Sequence, residues 1–222
     1  MTPVNTDKAI IWDMDGVIAD TALCHFKAWQ EVFQKKGITY PEETFKRYFG
    51  QRNVDIIRKI MGKETPEDEI SAISTEKEDN FLIKIKEQIT PFPGVITLIK
   101  SLADSKYKMA LASSAPQKNI DLITQTLKID GCFQAVVSSK DVSQGKPSPQ
   151  AFLLAASKLG VAPKNCIVFE DAIAGVAAAM SAGMHCIAVT NTNPKGSLAE
   201  ADLVVDTLEV ITVNDLDNLI NN

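Results

Sequence analysis

The first marked feature of the chain is a short, unbroken apolar run, Ala9-Ile10-Ile11-Trp12, which stops abruptly at Asp13-Met14-Asp15-Gly16. A run of this length, rich in β-branched residues and without alternation, predicts a strand over residues 8–12 that is buried on both faces. After Asp20 the period changes. Ala22, His25, Phe26, Trp29, Val32 and Phe33 recur at helical spacing, and Gly37 closes that helix. Residues 41–49 predict a second, shorter helix and residues 54–61 a third, with Gly50-Gln51-Arg52 as the turn between them. Thr65-Pro66-Glu67-Asp68 places proline in a first turn with acids beside it, and predicts a long helix running to about Gln88. No strand pattern occurs between Ile18 and Ile89.

Thr90-Pro91-Phe92-Pro93-Gly94 is a stiff re-entry segment. Beyond it, strands predicted at residues 107–112, 135–137, 166–169, 186–189 and 203–205 alternate with helices at 95–103, 116–127, 147–159 and 172–182. That alternation is the mark of βαβ units and a parallel sheet. The expected fold is therefore α/β, a Rossmann-like doubly wound parallel sheet with an inserted all-helical cap. Residues 1–18 and 90–222 form the core, and residues 19–89 form the cap.

Composition narrows the class. With 45% hydrophobic residues in 222, a full core can be buried. A net charge of -5 argues against nucleic acid or an anionic membrane as the main partner. No apolar run is long enough to span a bilayer, and no basic-then-apolar leader is present. Cys24, Cys132, Cys166 and Cys186 show neither metal-ligand nor redox spacing. The expectation is a soluble, cytoplasmic monomer.

The chemistry lies at the strand ends. The first predicted strand ends in Asp13 and Asp15, the second in Ser113-Ser114, the third is followed by Gly145-Lys146-Pro147, and the fourth ends in Glu170-Asp171. In a parallel sheet these ends share one edge, where ligands bind. Spacing of i, i+2 on an extended chain turns Asp13 and Asp15 to the same side, so a cation or a proton must relieve their repulsion. Singly, Ser113 reads as a turn residue, Lys146 as a solvated lysine and Asp171 as a helix cap. Together they suit phosphoryl transfer. A carboxylate can attack phosphorus, and a second can protonate the leaving oxygen and then activate water. Mg²⁺ takes oxygen ligands, while lysine and serine neutralise and hold the phosphoryl oxygens. The implied partner is a small phosphorylated metabolite.

Asp13-Met14-Asp15-Gly16-Val17, Ser113, Gly145-Lys146-Pro147 and Glu170-Asp171 resemble the four ordered motifs of the haloacid dehalogenase superfamily, and the resemblance spans the whole chain. It implies that Asp13 is the nucleophile and Asp15 the general acid and base. Mg²⁺ would be held by Asp13, the backbone carbonyl of Asp15, and Asp171, with Glu170 standing behind them. Ser113 and Lys146 would hold the transferring phosphoryl group. A carboxylate at position 15 makes dehalogenases and phosphonatases poor candidates. Within the superfamily the chain is most similar to β-phosphoglucomutases and their phosphatase relatives, through Asp20-Thr21-Ala22 and the run from His25 to Trp29. Arg52 and Lys77 fall near cap positions that mutases use for substrate, so His25, Arg52, Lys77 and Ser114 are candidate substrate-binding residues. Lys77 sits at the centre of an apolar stripe of Ile70, Ile73, Phe81 and Ile85, so it either snorkels outward or points into the cleft. The motif set favours the cleft. His25 reads equally well as a packed histidine.

One departure decides the expected reaction. Mutases of this kind follow the second motif with a serine, a lysine and an asparagine that grip the non-transferring phosphate. Here Ala115-Pro116-Gln117 intervene before Lys118-Asn119, and alanine and proline carry no side-chain donor. The expected activity is an Mg²⁺-dependent phosphatase acting on a small sugar-phosphate-like monoester. The alternative is a β-phosphoglucomutase interconverting β-glucose 1-phosphate and glucose 6-phosphate. A phosphoaspartate signalling domain or a non-catalytic binding module fits less well, because the cap is present and no motif residue is missing.

Overall fold

The computed structural model describes residues 7–86 and 88–221. Among these residues six strands form one sheet: β1 (Ala9–Trp12), β2 (Lys108–Ala112), β3 (Ala135–Val137), β4 (Cys166–Glu170), β5 (His185–Val189) and β6 (Leu203–Val205). Their order is β3-β2-β1-β4-β5-β6, and every neighbouring pair is parallel. All four residues of β1 are buried because each face of the central strand is covered. Ile10 and Trp12 face α5 (Val95–Asp104), α6 (Gln117–Thr126) and α9 (Val213–Asn221). Ala9 and Ile11 face α7 (Gln150–Leu159) and α8 (Ile173–Ser181). The unbroken apolar run thus follows from a strand with no solvent side. Trp12 stacks on Phe169 of β4, ring centroids 4.4 Å apart.

The chain winds outward from β1 to β3, then returns to the other side of β1 with β4. The crevice at that switch point lies beyond the carboxyl ends of β1 and β4. Asp13 follows the first of these strands, and Glu170 ends the second. The two acidic motifs, which are 157 residues apart in sequence terms between positions 13 and 170, meet there.

Between β1 and α5 come α1 (Ala22–Lys35), α2 (Glu42–Tyr48), α3 (Asn53–Met61) and α4 (Glu67–Ile85). Trp29, Phe33, Tyr40, Phe45, Ile57 and Ile73 give these helices an apolar cluster of their own. A smaller cluster, Cys24, Ala28, Phe81 and Ile85, meets Leu122 of α6. The two crossings from sheet to helical block bond to each other, Asp20 N–H to the Thr90 carbonyl (2.9 Å) and Phe92 N–H to the Ile18 carbonyl (3.1 Å).

Two boundaries and one element depart from the sequence reading. Helix α4 ends at Ile85 rather than near Gln88, because the chain turns there (Gln88 N–H to Ile85 carbonyl, 2.9 Å) to reach the crossing. Helix α7 starts at Gln150 rather than 147, since Pro147 and Pro149 bracket a turn closed by Ser148 N–H on the Gly145 carbonyl (3.0 Å). Helix α9 had no counterpart in the reading. It is held by buried Leu216, and by Asp217 accepting from Lys8 Nζ (2.9 Å) and Tyr107 Oη (2.5 Å). Among the described residues no helix is long and apolar enough to cross a membrane.

Candidate active site

Asp13 extends the β1 ladder by one rung, its N–H bonding the Phe169 carbonyl at 3.0 Å. Its buried carboxylate accepts from Lys146 Nζ at 2.5 Å, and Lys146 also donates to Glu170 Oε1. Glu170 is fully engaged on its other side, where Oε2 accepts the N–H groups of Asp171 (2.9 Å) and Ala172 (3.0 Å). Asp171 Oδ2 accepts from Thr192 Oγ1, and the Asp171 carbonyl accepts from Asn193 Nδ2 at 3.0 Å. Asp171 Oδ1 is buried and has no hydrogen-bond partner among the described residues.

This group is short of positive charge. One oxygen each from Asp13, Glu170 and Asp171 lies within 4.8 Å of the others, with Lys146 as the ammonium among them. Burial pushes the Asp13 carboxyl up to about 8 although Lys146 pulls it down. Burial, then the Glu170 and Asp13 charges, push Asp171 well above the usual carboxylate range. Lys146 goes the other way. Burial would lower it, but Asp13 and Glu170 hold its ammonium above its ordinary value. An all-oxygen donor set, an orphaned carboxylate oxygen and surplus negative charge fit a hard divalent cation such as Mg²⁺. Because Lys146 and two backbone N–H groups occupy Glu170, the freer donors are Asp13 and Asp171.

Two glycines make the crowding possible. A Cβ on Gly16, whose φ is +89°, would lie 2.0 Å from Asp171 Oδ2, and one on Gly175 would lie 1.8 Å from Glu170 Oε1. Gly16 follows the acidic motif directly and was visible in the sequence. Gly175 sits inside α8, and nothing local marks it.

Asp15 turns the other way, toward the helical block. Its Oδ1 accepts from Thr21 Oγ1 (2.7 Å) and pairs with His25 Nε2 (3.2 Å). Lys77 Nζ lies 2.8 Å from His25 Nδ1, and an ammonium can only donate. His25 therefore accepts at Nδ1, carries its proton on Nε2 and gives that proton's hydrogen bond to Asp15. Burial and the Lys77 charge keep His25 below its usual value, so the neutral ring is the resting form. Burial would raise Asp15, but the interaction with His25, the Thr21 hydrogen bond and the nearby Lys77 charge outweigh it and hold the carboxyl below its ordinary range. His25 stacks flat on Phe81, centroids 3.9 Å apart.

Lys77 points inward. It is 2% exposed, sits over the rings of Trp29 (5.4 Å) and Phe81 (5.3 Å), and donates to Glu78 Oε1 at 2.8 Å. Arg52 is more fully occupied than the sequence suggests. It clasps Asp55 through Nε (2.8 Å) and Nη2 (3.1 Å), and reaches from the helical block to the Val142 carbonyl through Nη1 (2.9 Å). Ser113 is buried at the end of β2, its Oγ accepting the Ala115 N–H at 3.0 Å. Lys118 and Asn119 both turn to acids of α4, Lys118 Nζ to Asp79 Oδ1 (3.3 Å) and Asn119 Nδ2 to Glu78 Oε2 (2.5 Å).

Asp15, His25, Lys77, Glu78, Ser114 and Ala115 help to line a cavity of about 30 Å³, room for about two water molecules. Beside it lies a wider cleft of about 500 Å³ that Arg52, Lys118 and Lys140 help to line. Asn53, Glu78 and Ser114 face both spaces. The structure brings Asp13, Lys146, Glu170 and Asp171 into one cluster and Asp15, His25 and Lys77 into a second. Sequence reasoning missed Thr192, Asn193, Glu78, Asn53 and Gly175.

Comparison with known proteins adds independent information. The family described as haloacid dehalogenase-like hydrolase matches residues 10–189. A beta-phosphoglucomutase of Bacillus subtilis is 35% identical over 206 residues, which cover 89% of this chain and 88% of that protein. Hexitol phosphatase A of Escherichia coli is 34% identical over 208 residues, covering 93% of this chain and 94% of that protein. The crystal structure of a beta-phosphoglucomutase from Clostridium difficile superposes with a TM-score of 0.87 at 29% identity, covering 97% of each chain.

Proposed function

The chain belongs to the haloacid dehalogenase-like hydrolases, and from that membership we propose that it is an Mg²⁺-dependent phosphatase hydrolysing a small sugar-phosphate-like monoester through a phosphoaspartate. Relatives named as a phosphoglucomutase and as a hexitol phosphatase support phosphoryl transfer on phosphorylated sugars. One observation tips the choice toward hydrolysis. The polar residues nearest the second motif that were candidates to grip a second phosphate, Lys118 and Asn119, are committed to Asp79 and Glu78. A mutase must keep a sugar bisphosphate bound while it turns round, and this loop offers it little hold.

The roles follow from the contacts. Asp13 attacks phosphorus, and Lys146, bonded to that carboxylate, neutralises charge on nucleophile and phosphoryl oxygens. Asp15, an anion at rest, takes up a proton from the bound monoester or from water, gives it to the leaving oxygen, and then takes one from the water that attacks the phosphoaspartate. His25 and Thr21 fix its orientation for both steps. Ser113 and its neighbouring N–H groups hold phosphoryl oxygens. Asp13, Asp171 and the Asp15 carbonyl would hold Mg²⁺, whose charge would offset that of the buried carboxylates and the phosphoryl group.

Two outcomes test this reading. Phosphate release from a panel of sugar phosphates is expected to exceed isomerisation of β-glucose 1-phosphate assayed with a bisphosphate primer. Dominant isomerisation would hand the site to the mutase reading. EDTA is expected to stop release and added Mg²⁺ to restore it, since two carboxylates are too few for a closed cage and the ion exchanges readily. Full activity in excess chelator would refute the metal's role.

A further inference from the structure

Glu78 is the buried charge of the cleft that the phosphoryl-transfer chemistry leaves unused. It is 4% exposed, follows Lys77 on α4, and faces both the small cavity beside Asp15 and the wider cleft. Three donors converge on its carboxylate: Lys77 Nζ (2.8 Å) and Asn53 Nδ2 (2.7 Å) on Oε1, and Asn119 Nδ2 (2.5 Å) on Oε2. Burial alone would raise its pKa, but the neighbouring Lys77 ammonium and these bonds hold it below the ordinary value, so Glu78 is an anion. A carboxylate accepts about four hydrogen bonds, which leaves one acceptor position on Oε2. Lys77 has spent two of its three N–H groups, on His25 and Glu78, and keeps one.

Lys77 lines the small cavity beside Asp15, and Glu78 lines both that cavity and the wider cleft, so the pair offers one donor on the cavity side and one acceptor between the two spaces, with its charge cancelled internally. That combination suits hydroxyl groups, each of which both donates and accepts. It does not suit a second phosphate, which needs an uncompensated cation. Resting on the phosphatase reading above, we infer that the Lys77–Glu78 pair, where the small cavity beside Asp15 meets the wider cleft, is a specificity determinant that reads hydroxyls on the neutral tail of a polyhydroxylated monophosphate and excludes bisphosphates. Glu78 does this by taking the charge of Lys77 out of play. Asn119, which reaches Glu78 from α6 in the core, and Asn53 on α3 hold the carboxylate in place.

The test compares ratios within each protein, so that a general loss of activity cancels. Values of kcat/KM are measured for fructose 6-phosphate, fructose 1,6-bisphosphate and hexyl phosphate, on the full chain with Mg²⁺. Wild type is expected to favour the monophosphate over both others by about tenfold or more, chiefly through KM. Glu78→Gln frees the Lys77 charge, and should shift the monophosphate-to-bisphosphate ratio at least tenfold toward the bisphosphate. Glu78→Asp keeps the charge and should keep that preference, with a weaker KM. Wild type that hydrolyses bisphosphate or hexyl phosphate as well as the monophosphate overturns the inference, whether or not either variant folds. So does a Glu78→Gln protein with unchanged ratios. Absence of phosphate release from every ester would instead overturn the phosphatase reading itself, and this inference with it.

Discussion

Asp13→Asn should cut phosphate release by about four orders of magnitude or more, the scale of losing a catalytic nucleophile, and should make the metal-free protein more stable at pH 8. The first effect follows because an amide oxygen is too weak a nucleophile to open a phosphate ester. The second follows from linkage. Burial lifts the Asp13 carboxyl from 3.8 to about 8 in the folded protein, so folded chains hold this proton more tightly than unfolded ones. Stability from this group is complete below the unfolded value near 3.8 and is lost as pH rises toward the folded value of about 8. Asparagine carries no charge to bury and escapes the loss, while Lys146 keeps Glu170 as its partner. A gain on the order of 2 kcal/mol at pH 8 in chelator corresponds to a Tm roughly 5 °C higher. Added Mg²⁺ should shrink the difference by stabilising wild type. Thermal melts at pH 5 and pH 8, with and without Mg²⁺, check the sign. Near-wild-type phosphate release would falsify the nucleophile assignment. A Tm difference that stays flat with pH would refute the account of buried charge.

The sheet was legible because its inner strands β1, β2, β4 and β5 are largely buried on both faces, so that each appears as an apolar run needing no tertiary information. Ile10, Trp12, Val168 and Phe169 are examples. The acidic, hydroxyl and ammonium groups stood out by contrast, as polar residues at the ends of those runs. Reading strand ends stopped one strand too early. The loop after β5 supplies Thr192 and Asn193, which grip Asp171, and Asn191, whose Nδ2 donates to the Gly16 carbonyl at 2.8 Å. Helical periodicity placed Lys77 on an apolar stripe without deciding between snorkelling outward and entering the cleft; the motif set favoured the cleft, and neither names a partner. The bonds joining His25 to Lys77 and Glu78 to Asn119 span 52 and 41 residues, and depend on how the helical block sits on the sheet. Helix α9 escaped for a related reason. A short helix with Leu216 as its buried anchor carries little signal until the core that receives it is known.

Asp15→Asn should slow turnover of sugar phosphates by roughly a hundredfold or more, and should change where the reaction stalls. Asparagine keeps an oxygen where Thr21 and His25 donate, so the local fold is expected to survive. What it loses is the ability to move a proton, which is needed twice. A sugar alkoxide is a poor leaving group, so the first transfer fails and little phosphoaspartate forms. An aryl phosphate releases a stabilised phenolate that leaves without an acid. With p-nitrophenyl phosphate the variant should therefore release about one equivalent of nitrophenol per enzyme in a burst, then stall for want of a base to activate water. Wild type should show turnover without that stall, and a rate that falls on the acid side as Asp15 protonates. Because His25 and Thr21 hold Asp15 below its ordinary carboxyl value, that fall should begin at lower pH than an unperturbed aspartate would give, and be missing in the variant. Rapid mixing with the chromogenic ester reads the burst, and steady-state rates across pH read the acid limb. Unslowed, burst-free turnover in the variant would mean that another group moves the proton. The bonds that Thr21 and His25 make to Asp15 would then serve only to close the helical block over the sheet.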